Sequence, residues 1–318
     1  FARTVYQTAY LKRHHPAAYM AAFMQHKPGF YPMNTVLEEA KHMGVRILPV
    51  DIWLSGVRYQ LEQGAIRLPL TQVLGLSEAV AADIVLHRPF CPTLLSLRQH
   101  VHVPVDVWEA LARAGAFDSE MPRRDALWQV GMPVTPDALG RRQLTLFPEA
   151  LNPSLLPWLE RLTEEFIIAW DMETTSMAPR QHPIGLHRPL LQNFGVVPIE
   201  QVKRMASDTR ARVAGLVIVS QRPPTAKGMR FLVLEDETGR LSIAITPPVF
   251  ERQPQTLRSD LLVLEGVIQE AGATYRSMLV ERGWSVRELA GSREDLEAAV
   301  VARHRAPRLS RSNPLKTS

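Results

Sequence analysis

The chain has 318 residues, 46% hydrophobic and 22% charged, with a formal net charge of +5. That length exceeds one ordinary core, and the balance is that of a soluble globular protein of two or three domains. A single cysteine, Cys91, excludes an internal disulfide and a thiolate metal cage, and no apolar run approaches the roughly 20 residues of a membrane span.

Phe1 stands inside a helix-like run with no signal peptide, which fits a cytoplasmic protein and a piece of a longer chain. Residues 4–14 and 17–26 read as two short helices, rich in Tyr, Ala, Met and Phe, separated by Pro16 and closed by Pro28-Gly29. A third runs from Asn34, a good N-cap, to Gly44, a good C-cap. Residues 45–50 then read as a strand, and 57–61 pairs with 65–68 across Glu62-Gln63-Gly64. Residues 1–37 hold Arg3, Lys12, Arg13 and Lys27 without an acidic side chain. Such a face suits phosphates, and a solvated helical surface accounts for it nearly as well.

Residues 70–118 contain two hairpin-like helix junctions. The first, Thr71-Gln72-Val73-Leu74-Gly75-Leu76-Ser77-Glu78, links one helical segment to another ending near Arg88; in the second, 105–113 runs into Ala114-Gly115-Ala116-Phe117-Asp118. A glycine in a helix hairpin exposes consecutive amides near a helix N-terminus, where the dipole also favours an anion. Gly75 and Gly115 suit that role, and each is equally what a helix C-cap requires. Their tandem placement is the stronger signal.

Prolines outnumber glycines, 25 to 17, and their recurrence between Met132 and Pro198 marks an extended connector. Within it stands Gln143-Leu144-Thr145-Leu146-Phe147, preceded by Arg141 and Arg142 and followed by Pro148. It is similar to the short peptide by which bacterial polymerases hold the sliding clamp, where a glutamine makes polar contacts and Leu and Phe fill an apolar groove. The bland alternative is a segment docked on this protein's own core.

Residues 213–284 read as five short strands with one helix between the third and fourth. Apolar runs at 212–220 and 230–234 flank the long loop Arg222-Pro223-Pro224-Thr225-Ala226-Lys227-Gly228. After the turn Glu237-Thr238-Gly239, Leu241, Ile243 and Ile245 alternate with Ser242 and Ala244, the period of a half-buried strand. Pro247-Pro248 start a short helix through Phe250, and 261–268 and 274–280 form the last hairpin around Ala271-Gly272-Ala273. This is the OB-fold order, whose second and third strands and first and last hairpin loops usually carry the ligand. Residues 211–284 contain nine Lys or Arg against eight Asp or Glu, so the barrel as a whole carries no strong field. From Arg210 to Leu234, however, Arg210, Arg212, Arg222, Lys227 and Arg230 meet no acid. The first hairpin therefore reads as a phosphate path, with Phe231 beside it to stack a base. Taken alone, Phe231 reads as core.

Other candidates point away from metals. His14-His15 and His100-x-His102 lack a third ligand nearby, and Glu235-Asp236-Glu237 sits at a hairpin turn where acids are routine. No metal site is assigned, and neither a Gly-rich phosphate loop nor a serine nucleophile elbow appears.

The segments FARTVYQTAYLKRHHPAAYMAAFMQHKPGFYP, EEAKHMGVRILPVDI, LTQVLGLSEAVAADIVLHR, ALARAGAFDSE and VAGLVIVSQRPPTAKGMRFLVLEDETG carry a family resemblance over about residues 1–286. Together they resemble the C-terminal part of the bacterial DNA polymerase III alpha subunit, most closely its error-prone, damage-tolerance branch. The resemblance implies the end of a helical fingers domain at 1–62, a tandem helix-hairpin-helix module at 63–131 and an all-β OB barrel at 208–288, so the chain reads as multidomain α+β, with a connector at 132–207 between them and a basic tail at 289–318 whose composition reads as disordered. With the hairpin, charge and peptide readings above, the candidate DNA contacts are Gly75, Ser77, Gly115, Arg222, Lys227, Arg230 and Phe231, and the candidate clamp contacts Gln143, Leu144, Leu146 and Phe147. Partners would be single-stranded template, primed duplex, the sliding clamp and other replication or damage-tolerance proteins at the nucleoid, with no membrane. Polymerisation in this family uses palm-domain aspartates holding two magnesium ions; that palm would lie upstream of Phe1, leaving this chain without catalytic residues or a cofactor of its own. Two departures stand out. Ser77 replaces a frequent second hairpin glycine, which limits phosphate cradling there. The tail at 301–318, with Arg303, Arg305, Arg308, Arg311 and Lys316 and no acid, does not align and would add non-specific DNA affinity. The competing readings are a free-standing adaptor that binds single-stranded DNA and recruits the clamp, and an RNA-binding OB module.

Overall fold

Residues 1–27, 29, 32–131, 135–136, 142–143, 162–271 and 275–290 are described by a computed structural model. Helices α1 (Ala2–His14) and α2 (Pro16–His26) meet at His15, and Pro16 occupies the first turn of α2, where its missing amide costs nothing. Helix α3 (Met33–His42) begins one residue before Asn34. Asn34 is therefore inside the helix, not its cap, and its Oδ1 accepts from the Ala178 amide at 3.0 Å. A tertiary partner has overridden a local preference. At the other end Gly44 (φ +79) closes α3 as expected, with Val45 N–H donating to Ala40 O and Gly44 N–H to Lys41 O.

Strand β3 (Ala65–Arg67) pairs in parallel with β1 (Ile47–Leu48) and antiparallel with β2 (Gln60–Glu62). The two residues between β2 and β3, Gln63 and Gly64, both have positive φ (50° and 80°), the conformation that a two-residue hairpin of this twist requires. A 3-10 turn (Leu70–Gln72) leads to four helices: α4 (Glu78–His87), α5 (Leu94–His100), α6 (Val105–Arg113) and α7 (Arg123–Gly131). The helical segment expected before Gly75 is thus only that 3-10 turn. One hydrophobic core, including Met24, Leu37, Ile52, Ile66, Trp108, Leu111 and Phe117, runs from Met20 to Val130 and takes in Met177.

The stretch expected as an extended connector is helical in its second half. Beyond a short ladder between β4 (Thr135–Pro136) and β5 (Arg142–Gln143) come α8 (Glu164–Thr175), α9 (Pro183–Asn193) and α10 (Ile199–Val202). Pro183 opens α9 and Pro198 precedes α10, positions that helices tolerate, while Pro189 stands inside α9, where it removes one backbone donor. Leu144, Leu146 and Phe147 lie outside the described residues, as does the tail at 301–318, and of Gln143 only the backbone is described.

Strands β6 (Arg210–Gln221), β7 (Arg230–Asp236), β8 (Gly239–Ile245), β9 (Leu261–Ala271) and β10 (Tyr275–Ser285) close a barrel in the order β10-β8-β7-β6-β9. The β8–β10 pairing is parallel, the other four antiparallel. With α11 (Pro247–Arg252) and a 3-10 turn (Thr256–Arg258) between its third and fourth strands, the domain is an OB-fold. Val213, Leu232, Leu234, Leu241, Ile243, Leu264 and Met278 fill it, and α12 (Val286–Ala290) follows.

Polar contacts join the helical unit to the barrel. Arg240 on β8 donates to Glu235 Oε2 and to Thr35 O, both at 2.7 Å, and Lys41 donates to Ala178 O at 2.8 Å. The α8 end is tied to the first hairpin by Leu74 N–H donating to Thr174 O at 2.8 Å and Gln72 Nε2 to Thr175 O at 2.7 Å.

Candidate nucleic-acid interface

Register places two rows of side chains on the outer face of the barrel. Gln221, Phe231, Ala244 and Leu279 form one; Val219, Val233, Ser242 and Ser277 form the other. Leu232 and Leu234 point into the core, so the period-two rule sends Phe231 outward, where it is 39% exposed. The core reading of Phe231 is corrected accordingly. Tyr275 opens β10 at the end of this face and is 75% exposed. Phe231, with Ala244 opposite it, offers a ring on which a base can stack, and Tyr275 offers a second at the far end of the face.

The cations of the first hairpin divide into two groups. At the foot of β6, Arg210 pairs with Glu281, and Arg212 with Glu265, so their charge is neutralised. At the tip, Arg222 and Lys227 are exposed, and among the described residues neither they nor Arg230 have a carboxylate within ion-pair distance. Arg230 lies 3.8 Å from the centre of the Phe250 ring, and Arg258 lies 5.8 Å from it. Burial, and then the like charges of Arg222 and Arg258, pull the Arg230 guanidinium below its usual range. Sequence reasoning missed Phe250, Arg258 and Tyr275. Only for Tyr275 was a signal available, in the alternation of Ser277 and Leu279 with buried Met278 and Val280.

The two hairpin glycines have different surroundings. Gly75 (φ +85) is exposed, and a Cβ there would meet nothing within 4 Å. Ser77 caps α4, its hydroxyl accepting from the Val80 amide at 3.3 Å, while Leu76 N–H donates to Val73 O. Gly115 (φ +75) is buried and ends α6, its amide donating to Ala112 O and that of Ala116 to Leu111 O. A Cβ on Gly115 would fall into the Arg123 guanidinium and the Asp118 carboxylate.

Arg123, itself 3% exposed, pairs with Asp118 at 3.1 Å and with buried Asp171 at 2.8 Å, and it donates to the Arg113 and Ile167 carbonyls. Burial outweighs this attraction and pushes the Asp171 carboxyl up to about 6.

The acidic run at the β7–β8 turn is structural. Asp236 Oδ1 accepts from the Thr238 and Gly239 amides, its Oδ2 from Ile199 N–H and Arg188, and Glu237 also pairs with Arg188. Among the described residues no group of three or more His, Cys, Asp or Glu is placed to hold a metal ion, so they do not fit a magnesium site. No helix among them is long and apolar enough to cross a membrane.

A family model described as a helix-hairpin-helix motif matches residues 44–127. Error-prone DNA polymerases of Corynebacterium efficiens, Burkholderia pseudomallei and Mycolicibacterium paratuberculosis are 36%, 35% and 33% identical over 275, 284 and 304 residues, or 85%, 85% and 92% of this chain. The chain is homologous to the C-terminal quarter of error-prone DNA polymerases. It spans 25%, 26% and 27% of the length of those three relatives. Among solved structures, asparaginyl-tRNA synthetase from Pyrococcus horikoshii aligns with 32% of this chain and 26% of its own, at 20% identity and a TM-score of 0.25. The helix-hairpin-helix match and the closed barrel stand side by side in the chain.

Proposed function

We propose that the chain is the DNA-handling part of an error-prone DNA polymerase active in translesion and repair synthesis at the bacterial nucleoid, and that its barrel binds the single-stranded template. The observation that carries this reading is the outward row of Gln221, Phe231, Ala244 and Leu279 beside Arg222, Lys227 and Arg230, cations without acidic partners among the described residues. Bases stack on the face while phosphates follow the hairpin, a mode that tolerates any sequence. In the helix-hairpin-helix unit, Gly75 and Ser77 present an exposed loop to the primed duplex, and Gly115 serves that loop's neighbour by ending α6 so that Arg123 can dock. Nucleotide transfer and its magnesium ions belong to the rest of the polymerase. Gln143, Leu144, Leu146 and Phe147 are the proposed clamp contact, to be checked by loss of clamp capture in Leu146→Ala with Phe147→Ala.

The test is fluorescence anisotropy of a single-stranded oligonucleotide across a salt series, with Arg222, Lys227 and Arg230 all changed to Ala in a second protein. Backbone contacts predict a linear fall of log affinity with log salt, and a slope shallower by about 0.7 for each cation lost. Binding that is identical in the two proteins would remove the barrel from the DNA path. Tighter binding to structured RNA than to DNA would instead favour an RNA-reading module.

A further inference from the structure

We infer that the cap of the barrel, not its strand face alone, grips the backbone: Arg230 and Arg258 over the Phe250 ring, with Arg222 beside Arg230, form a phosphate site for a single DNA strand leaving the Phe231 end of the face. This rests on the proposal that the chain binds single-stranded DNA.

The cap is assembled by contacts distant in sequence. The first-hairpin loop folds back on the start of α11, because a Cβ on Gly228 would sit 3.2 Å from Pro247 Cγ and 3.8 Å from Arg222 Nη2. Arg222 is thereby held beside α11, whose Phe250 ring carries Arg230 at 3.8 Å and Arg258 at 5.8 Å. Arg230 is also the residue before Phe231, so the cluster adjoins the stacking face.

Electrostatics then asks for an anion. Four other arginines of the barrel have carboxylates, Arg210 with Glu281, Arg212 with Glu265, Arg240 with Glu235 and Arg276 with Glu270, whereas Arg252 and Arg282 form no ion pair among the described residues and do not converge on a ring. Among the described residues Arg222, Arg230 and Arg258 have none, and Glu251 on α11 makes no ion pair with them. An aromatic face orients guanidinium groups and partly offsets their charge, but it leaves their N–H forks unspent. Phosphate oxygens match those forks in charge and geometry, often two bonds at a time. Solvated surface arginines, the ordinary alternative, would not be expected to converge on one ring.

The experiment compares Arg258→Gln with the unchanged chain, using a single-stranded oligonucleotide of about 12 nucleotides, within the span an OB-fold covers. Arg258 is exposed, so folding should be unaffected, and a thermal melt verifies this. The expected result is a two- to fivefold loss of affinity, the range of an exposed ion pair, with the salt slope lowered by about 0.7. Unaltered affinity and slope in Arg258→Gln, alongside weakened binding in the Arg222, Lys227 and Arg230 variant, would overturn the cap site and leave the strand-face reading standing. No binding by the unchanged chain would sink both. Displacement of the oligonucleotide by inorganic phosphate at matched ionic strength, lost in Arg258→Gln, would make the cluster a small-anion site and overturn its assignment to a DNA strand.

Discussion

Replacing Arg123 with Met should destabilise the helical unit in a way that depends on pH. Arg123 is buried and holds Asp171, itself 2% exposed, at 2.8 Å. Removing an opposite charge this close raises a carboxyl by about 1 to 3 pK units, each worth about 1.4 kcal/mol. Asp171 already stands at about 6, above its unfolded value, so the folded state binds more protons than the unfolded state and stability falls as pH rises through that window. In the variant the window extends upward. Near pH 5 the carboxyl is largely protonated in both proteins, and only the lost bonds to Asp118, Arg113 O and Ile167 O register, about 1 to 2 kcal/mol. Near pH 8 the folded variant must either hold a proton on Asp171 that the unfolded chain has released or bury an uncompensated carboxylate, and the loss should grow to about 3 to 5 kcal/mol. Urea unfolding of both proteins at the two pH values measures this, and adding Asp171→Asn to the variant should restore most of the difference. A loss of equal size at both pH values would refute the reasoning.

Gly115→Ala should cost about 2 kcal/mol or more, combining the penalty for positive φ with displacement of Arg123, whereas Gly75→Ala, in open space, should cost about 1; equal shifts in urea midpoint would remove the collision from the account. Phe231→Ala and Tyr275→Ala should each weaken single-stranded DNA binding by about 1 to 3 kcal/mol with the salt slope unchanged, since stacking moves no counterions. A changed slope in the anisotropy titration would contradict that assignment. Leu232→Ala opens a cavity in the barrel and should lower its stability by about 2 to 5 kcal/mol in a thermal melt.

The barrel was legible because its signals are local. Alternation at 241–245, the Glu237-Thr238 turn and the proline pair before Phe250 each announce an element, and the observed strands differ mainly in being longer. Phe231 was misread because the apolar run Phe231, Leu232, Val233, Leu234 hides the phase of the alternation, which only pairing with Ala244 resolves. Asn34 was misread as a cap because its partner, Ala178, is remote in sequence. The same reason hid the cap of the barrel: neither Arg258 nor Phe250 is informative until the first-hairpin loop folds onto α11. The 1–62 and 63–131 segments differ in sequence character yet share one core, a relation no local pattern reveals.

The ring of strands also limits how this domain can associate. Because β8 meets β10 and β6 meets β9, every one of the five strands is flanked on both sides. Among the described residues a partner therefore finds no whole strand left unpaired along one side, which limits edge-to-edge association. A nucleic acid needs no such strand. The closed ring thus leaves side chains and loops, rather than an open strand, as the surface this domain offers to other molecules.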